Sequence, residues 1–309
     1  NMNYKQLFEK FKNRENKLRT KNQCMKYLED LIWEGVPVSP FDPESKVYKC
    51  KNRPFYYKCQ NTNKYFTVLT GTIFENTKKP LAVWFKLIEL VITLRPGISA
   101  VSAAKLCKVS YPTAWHMLQK IRTVMGKENG QKLQGIVEAD EYVAGGTLKN
   151  MHYDKKLAAR AKGTYQNKIP VHGMVERGGD AVINVVPNLE ADTINAKVIK
   201  HLKIGSTLFT DENVGYKKIS QFYKHNFVVH SKGKYVDGNV YTNSIESLWA
   251  GFTRTLGTYI HQTKKYLQNY ANEHVFRYNT RKMNSIDTCI HFLLCTESTK
   301  ITWRQIRLA

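Results

Sequence analysis

After residue 135 the hydrophobic period of this chain changes repeatedly, and the order of those changes leaves few folds open. Residues 136–143, 169–176 and 181–187 read as three strands, and the RGGD between the last two is a hairpin signal. ADTINAKVIKHL at 191–202 has a helical period, STLFTD at 206–211 reads as a fourth strand, and FVVH at 227–230 as a fifth. A helix follows from near Ser244, with Ile245, Leu248, Trp249, Phe252 and Leu256 on one stripe. Three strands, a helix, a strand, a link, a strand and a helix predict an α/β domain with a mixed sheet.

That succession is the order of a ribonuclease H-like domain, and its acids fall where such a sheet can gather them. Asp140 lies within the first strand, Asp211 ends the fourth, and Glu246 stands in the first turn of the last helix. If the fourth strand lies beside the first and the helix packs over both, the three side chains converge. Converging carboxylates repel, so they either share protons or hold a hard divalent cation. A pair of magnesium ions about 3.5–4 Å apart suits in-line displacement at phosphorus. Singly, each acid has an ordinary reading: strand acids keep edges soluble, an Asp after a strand caps a turn, and Glu246 complements a helix dipole. Only the three together, in this order, point to phosphoryl transfer. Period two puts Glu138 on the face of Asp140 and Glu141 on the opposite face, away from the expected metals. Glu138 then either supports the site or is an exposed acid, and is not counted as catalytic. Gly145 and Gly146 turn the backbone away into a Lys-, Arg- and Gly-rich loop at 147–168, where Lys155, Lys156 and Arg160 are expected to touch DNA.

Charge supports a nucleic-acid partner. Among 309 residues, 48 Lys and Arg face 25 Asp and Glu, a net charge of +23 that attracts polyanions through counterion release. An apolar run long enough to span a membrane is missing and no signal peptide opens the chain, so a soluble, intracellular protein is expected. Cysteines at 24, 50, 59, 107, 289 and 295 form no C-x-x-C pair, which suits a reducing compartment.

Ahead of this domain, residues 22–70 open with a helical pattern at CMKYLEDLIW and continue as an aromatic, Pro-rich antiparallel module. From Pro80 a helix places Trp84, Leu87, Ile88, Val91 and Leu94 on one face until Arg95-Pro96-Gly97. Residues 99–107, the turn KVS and a helix capped by Ser110 then have helix-turn-helix spacing. Its second helix is expected to offer Thr113, His116, Lys120 and Thr123 outward, with Arg122 also among the DNA contacts. A plain three-helix connector between domains is the other reading.

The blocks VEADEYVAGG, LFTDENVGY, VVHSKGKYVDGNVYTNSIESLW and YLQNYANEHVFRYNTRK resemble the DDE transposases of the Merlin superfamily and related bacterial insertion-sequence transposases. YFTVLTGTIFENTKKPLAVWF and GISAVSAAKLCKVSYPTAWHMLQKIR resemble the amino-terminal region of the same family. The resemblance implies a catalytic trio of Asp140, Asp211 and Glu246, also the metal ligands, with Mg2+ as cofactor and Mn2+ as a substitute. Asn243 and His230 match auxiliary positions, Asn243 being an alternative third ligand. Where relatives carry a Lys seven residues after the third acid this chain has Thr253, so Arg254, Lys264 or Lys265 is expected to contact DNA instead. Positions matching a four-cysteine zinc ribbon hold Ser39, Asp42, Cys59 and Thr62. One thiolate cannot build a tetrahedral zinc site, so the module is expected to fold without zinc on Trp33, Phe55, Tyr56, Tyr57 and Phe66. The expected domains are a degenerate zinc-ribbon-like module at 1–72, a helix-turn-helix region at 73–128, and a catalytic domain with a helical tail at 129–309. The implied function is transposition: binding terminal inverted repeats, cleaving at the element's ends and joining 3′ hydroxyls to target DNA, as a homodimer or larger assembly. A structure-specific nuclease on the same fold and a domesticated DNA-binding protein are the alternatives.

Overall fold

The structure, a computed structural model, describes residues 20–145, 153, 154, 157, 168–211, 216, 219, 221–227, 242–259 and 263–308. The chain divides into two compact units, one built from residues 1–125 and 280–309 and the other from 126–279.

The second unit is organised around a five-stranded mixed sheet. Its strands are β4 (Ile136–Ala144), β5 (Ile169–Glu176), β6 (Ala181–Val185), β7 (Thr207–Thr210) and β8 (Lys224–Phe227), in the order β6-β5-β4-β7-β8. β4, β5 and β6 pair antiparallel, whereas β4–β7 and β7–β8 are parallel. This mixed sheet is compatible with a ribonuclease H-like domain. Alternation along the strands divides the core between two faces. On one face Ala144, Val171, Val175, Ala181 and Ile183 pack against Ile245, Leu248, Trp249 and Phe252 of helix α6 (Asn243–Thr258) and against Tyr270, Ala271 and Val275 of α7 (Leu267–Asn279). On the other, Val137, Ala139, Met174 and Val182 meet Ile194 and Val198 of α5 (Ala191–His201), with Leu208, Tyr216 and Ile219.

The fifth strand differs from expectation. Among the described residues β8 runs over Lys224–Phe227 and so starts three residues before the expected 227–230, pairing Thr207 with Lys224 and Thr210 with Phe227. Three of its four residues are exposed, and an edge strand facing water accepts Lys and Asn where a period argument looks for Val. Residues 228–230 lie outside the described residues.

The opposite edge, β6, is closed by side-chain amides. Asn129 accepts from Ile183 N–H at 2.7 Å and donates to its carbonyl at 2.5 Å. Gln268 accepts from Val185 N–H at 2.8 Å, and Asn279 both accepts from Ala181 N–H and donates to its carbonyl, at 2.8 and 3.1 Å. Three amides thus take the hydrogen bonds that a further strand would make.

The first unit carries a small antiparallel sheet of β1 (Val47–Lys49), β2 (Tyr57–Cys59) and β3 (Tyr65–Phe66). Its inner face packs Tyr57 and Phe66 on Trp33, with centroids 5.2 and 5.9 Å from the indole. Tyr56, expected in this core, is 38% exposed. Cys59 is buried among hydroxyls: burial raises its thiol, but hydrogen bonds from Ser39, Ser45 and Thr62 and the Thr62 backbone outweigh that and bring it to about 6. One thiol among neutral hydroxyls does not fit zinc, and Asp42 is turned to Asn61 at 2.7 Å.

Helix α1 (Lys21–Ile32) starts with a capping box of Thr20 and Gln23. α2 (Leu81–Thr93), α3 (Ala100–Cys107), α4 (Tyr111–Met125) and α8 (Ser285–Cys295) complete this unit's main helices. The 280–309 segment, expected as a tail of the catalytic domain, belongs here because α8 packs on α1 and α2. Among the described residues no helix is long and apolar enough to cross a membrane.

Asn129→Ala is expected to leave the Ile183 N–H without a partner, its carbonyl keeping the Gln268 amide at 3.0 Å, and to destabilise the protein by about 1–3 kcal/mol. Urea denaturation at constant m reads this directly.

Candidate functional site

Parallel pairing of β4 and β7 sets the site. The register runs Ile136↔Thr207, Val137↔Leu208, Glu138↔Phe209, and two further steps bring Asp140 level with Asp211. Carboxylate oxygens of Asp140, Glu141 and Asp211 all lie within 4.8 Å of one another. Asp140 is held in place by donors: the Trp249 indole N–H at 3.0 Å and the Glu141 backbone N–H. Burial lifts Asp140 from 3.8 to about 6, with Asp211 and Glu246 pushing the same way and the two donors opposing. Glu246 therefore stands close enough for its charge to be felt, although it is exposed and outside the 4.8 Å grouping.

The placement of Glu141 corrects the expectation drawn from strand alternation. Its carboxylate accepts from the hydroxyl of Tyr216, which is buried in the core on the face opposite α6. Its carboxylate nevertheless approaches those of Asp140 and Asp211. Burial, then Glu141, raise the Tyr216 phenol well above its usual value, so it remains a donor. Beside it His172, paired across the strands with Glu141, is kept neutral by burial and by nearby His201 and Lys197, at about 3.

Glu138 is the residue whose role was least apparent from the sequence. It is fully buried and ion-paired to Arg177 at 2.8 Å. It also accepts from Ser244 N–H at 2.7 Å, Ser244 Oγ at 3.0 Å and Ile245 N–H at 3.1 Å. These are first-turn amides of α6, which otherwise lack intrahelical acceptors. A strand carboxylate thus acts as a helix cap, and its charge complements the helix dipole. Asp140 two residues along the strand and Glu246 in the first turn of the helix are fixed to one another through it.

Gly173 completes the fit. It pairs with Asp140 across β4–β5, and a Cβ there would stand 2.5 Å from Trp249 Cη2. Its missing side chain is the space in which the indole lies, stacked on Tyr142 at 5.2 Å and able to reach Asp140. The sequence signals were present: an acid on a strand face covered by an apolar helix must be paired, and a Trp on that helix three residues after Glu246 needs an acceptor for its N–H.

Other expected residues fall variously. Asn243 is exposed at the start of α6, and Arg254, Lys264 and Lys265 are exposed further along the unit. His230, Lys155, Lys156 and Arg160 lie outside the described residues. On α4, Thr113 is half-buried near the amino terminus. His116 is half-buried and lowered to about 4 by burial and by Lys120. Lys120 and Arg122 are buried, at 7% and 2% exposure, which corrects the outward reading of this helix. The Lys120 ammonium donates to the Ile73 carbonyl at 3.0 Å, an interior bond that no sequence period reveals.

Comparison with known proteins finds similarity over this same unit. Residues 132–279 match the ISXO2-like transposase domain. An uncharacterized protein of the transposable element ISH50 from Halobacterium salinarum is 28% identical over 200 residues, 62% of this chain and 67% of that protein. Over its second unit the chain is thus similar to a transposase domain, and the domain match and the insertion-element relative together support a DDE-type transposase family. A transposase domain is a nucleic-acid-processing one, and DDE transposases use divalent metal. The donor set fits such an ion: Asp140, Glu141 and Asp211 offer only carboxylate oxygen, the preference of hard cations.

Glu138→Gln is expected to lower stability by about 2–4 kcal/mol, because Arg177 and the helix amides lose their charged partner; Glu246→Gln is expected to leave the same denaturation curve nearly unchanged. For Asp140, the folded value lies above the unfolded one, so its stabilising contribution is present below about pH 4 and lost as pH rises through about 6. Metal-free Asp140→Asn is accordingly expected to be more stable than the parent at pH 7, by up to about 3 kcal/mol, with the gap closing towards pH 4 in thermal melts.

Proposed function

We propose that this protein is a DNA transposase that binds the inverted repeats at the ends of its element, cleaves strands there and joins the resulting 3′ hydroxyls to target DNA. The observation that carries the reading is the side-by-side placement of Asp140 and Asp211, with the Glu246 helix anchored over the same strand, in a transposase-family domain. Asp140, Asp211 and Glu246 are the proposed catalytic acids, with Glu141 near enough to share their ligand role. They would hold Mg2+, or Mn2+ in its place, and such ions supply activation of the attacking oxygen and neutralisation of charge developing at phosphorus.

The residues' own part is positional. The Trp249 N–H and Glu141 N–H fix the orientation of Asp140, leaving its carboxylate directed to the cluster. Tyr216 orients Glu141, and Glu138 sets the height of Glu246 above the sheet. Water and a 3′ hydroxyl can be the successive nucleophiles of one in-line geometry, so one site serves cleavage and joining. Exposed Arg254, Lys264 and Lys265 supply charge for backbone phosphates, and the net charge of +23 makes binding strongly salt-dependent. Handling two element ends together requires at least a homodimer. In α3 and α4 the turn at 108–110 and the exposed start at Tyr111 support a reading role for the amino-terminal part of α4.

With magnesium, labelled repeat ends and a target plasmid, the protein is expected to give nicked ends and joined products. Asp140→Asn, Asp211→Asn and Glu246→Gln should each lower both by at least about a hundredfold. Cleavage without any joined product would replace this reading with a nuclease, and full activity of Asp211→Asn would remove the proposed site.

A further inference from the structure

The small sheet of the first unit has an outer face that its fold does not need. Tyr48 pairs with Lys58 across β1–β2, and Lys58 with Tyr65 across β2–β3, so the three form one row across the sheet. Side chains level with one another on neighbouring strands share a face. The core residues Tyr57, Cys59 and Phe66 point the other way, onto Trp33. The tyrosine rings of the row are therefore left to water, Tyr48 at 53% and Tyr65 at 55% exposure. Solubility alone would favour polar side chains at these places.

Charge says what such a face would meet. From Lys46 to Tyr65 the chain carries six basic residues and no acidic one. Lys58 sits with its ammonium 5.9 Å from the Tyr65 ring centroid, between the two tyrosines. Tyr48 is steadied by a hydrogen bond from its hydroxyl to Gln60 at 3.1 Å. Tyr65 also lines a groove of about 1130 Å³, together with Arg53, Tyr56, Lys78 and Lys79. Aromatic rings on an open sheet, separated by a cation and continued by a basic groove, are the elements of a single-strand binding platform.

We propose that this face binds unpaired DNA, with bases stacked on Tyr48 and Tyr65, an intervening phosphate on Lys58, and the backbone leading into the groove by Arg53, Lys78 and Lys79. Tyr48 and Tyr65 lie two interstrand steps apart, about 9–10 Å of backbone spacing, which leaves room for a base on each and the ammonium between. A duplex offers phosphates to the lysines, but its bases are stacked on one another and closed to the tyrosines. The choice of DNA as the polymer rests on the transposase reading, and it adds to that reading a strand-separated segment at the element end.

The test uses the full chain, a short labelled oligothymidylate and a duplex of equal length, followed by fluorescence anisotropy at fixed salt. In the double variant Tyr48→Ala/Tyr65→Ala, single-strand affinity is expected to fall at least about tenfold while duplex affinity changes by less than about twofold. The double Tyr→Phe variant is expected to retain single-strand binding, since the ring and not the hydroxyl stacks. Lys58→Ala should reduce the salt dependence of single-strand binding. Matching thermal melts for the variants establish that the module is folded, as expected for exposed side chains. Unchanged single-strand affinity in the double alanine variant, or equal loss for single strand and duplex, overturns the proposal. If parent protein binds the single strand through the tyrosines but neither cleaves nor joins element ends, the transposase reading fails and the platform stands.

Discussion

A carboxylate sealed inside a protein must find partners, and Glu138 finds them in the first turn of α6 and in Arg177. The rest of the candidate site depends on that choice. Without it the helix would keep its apolar stripe against the sheet but lose the contact that sets where its first turn begins. With it, Asp140 and Glu246 belong to a single frame, separated by one buried charge and a few backbone bonds. A helix start is well suited to this use, because its amides are unsatisfied and its dipole favours an anion.

Against that anchor stands a tension the fold does not relieve. Asp140, Glu141 and Asp211 are brought together where β4 runs past the end of β7, and burial and neighbouring charge raise Asp140 to about 6. Donors oppose part of the strain: Trp249 reaches Asp140 only because Gly173 has no side chain, and Tyr216 binds Glu141 from beneath the sheet. A protein under selection for stability alone would not assemble like charges so carefully. The arrangement is intelligible as a receptor for hard cations, in keeping with the similarity of this unit to a transposase domain.

Much of this could be read from the residues. Strand-forming runs located β4, β5 and β6, the helical stripe located α6, and the convergence of Asp140 and Asp211 was expected on the condition that the fourth strand lie beside the first, which the β4–β7 pairing meets. What escaped was of two kinds. β8 begins three residues before the apolar FVVH because edge strands do not need two-sided burial. Lys120 and Arg122 resemble surface cations in any periodicity plot, yet they are buried, Lys120 against a carbonyl distant in sequence. Glu138 and Glu141 were divided correctly between the two faces of the strand. Their roles were not legible, because capping a remote helix and leaning round a strand both depend on tertiary distances.

The most direct test is metal binding measured apart from catalysis. Manganese titrated into the metal-free protein and followed by electron paramagnetic resonance reports bound ion without any DNA. Saturable binding near neutral pH, lost in Asp140→Asn and Asp211→Asn and weakened in Glu138→Gln although that variant keeps every cluster carboxylate, is the expected result. Binding that is indifferent to Asp140 and Asp211 would contradict the claim that these two acids form the cation site.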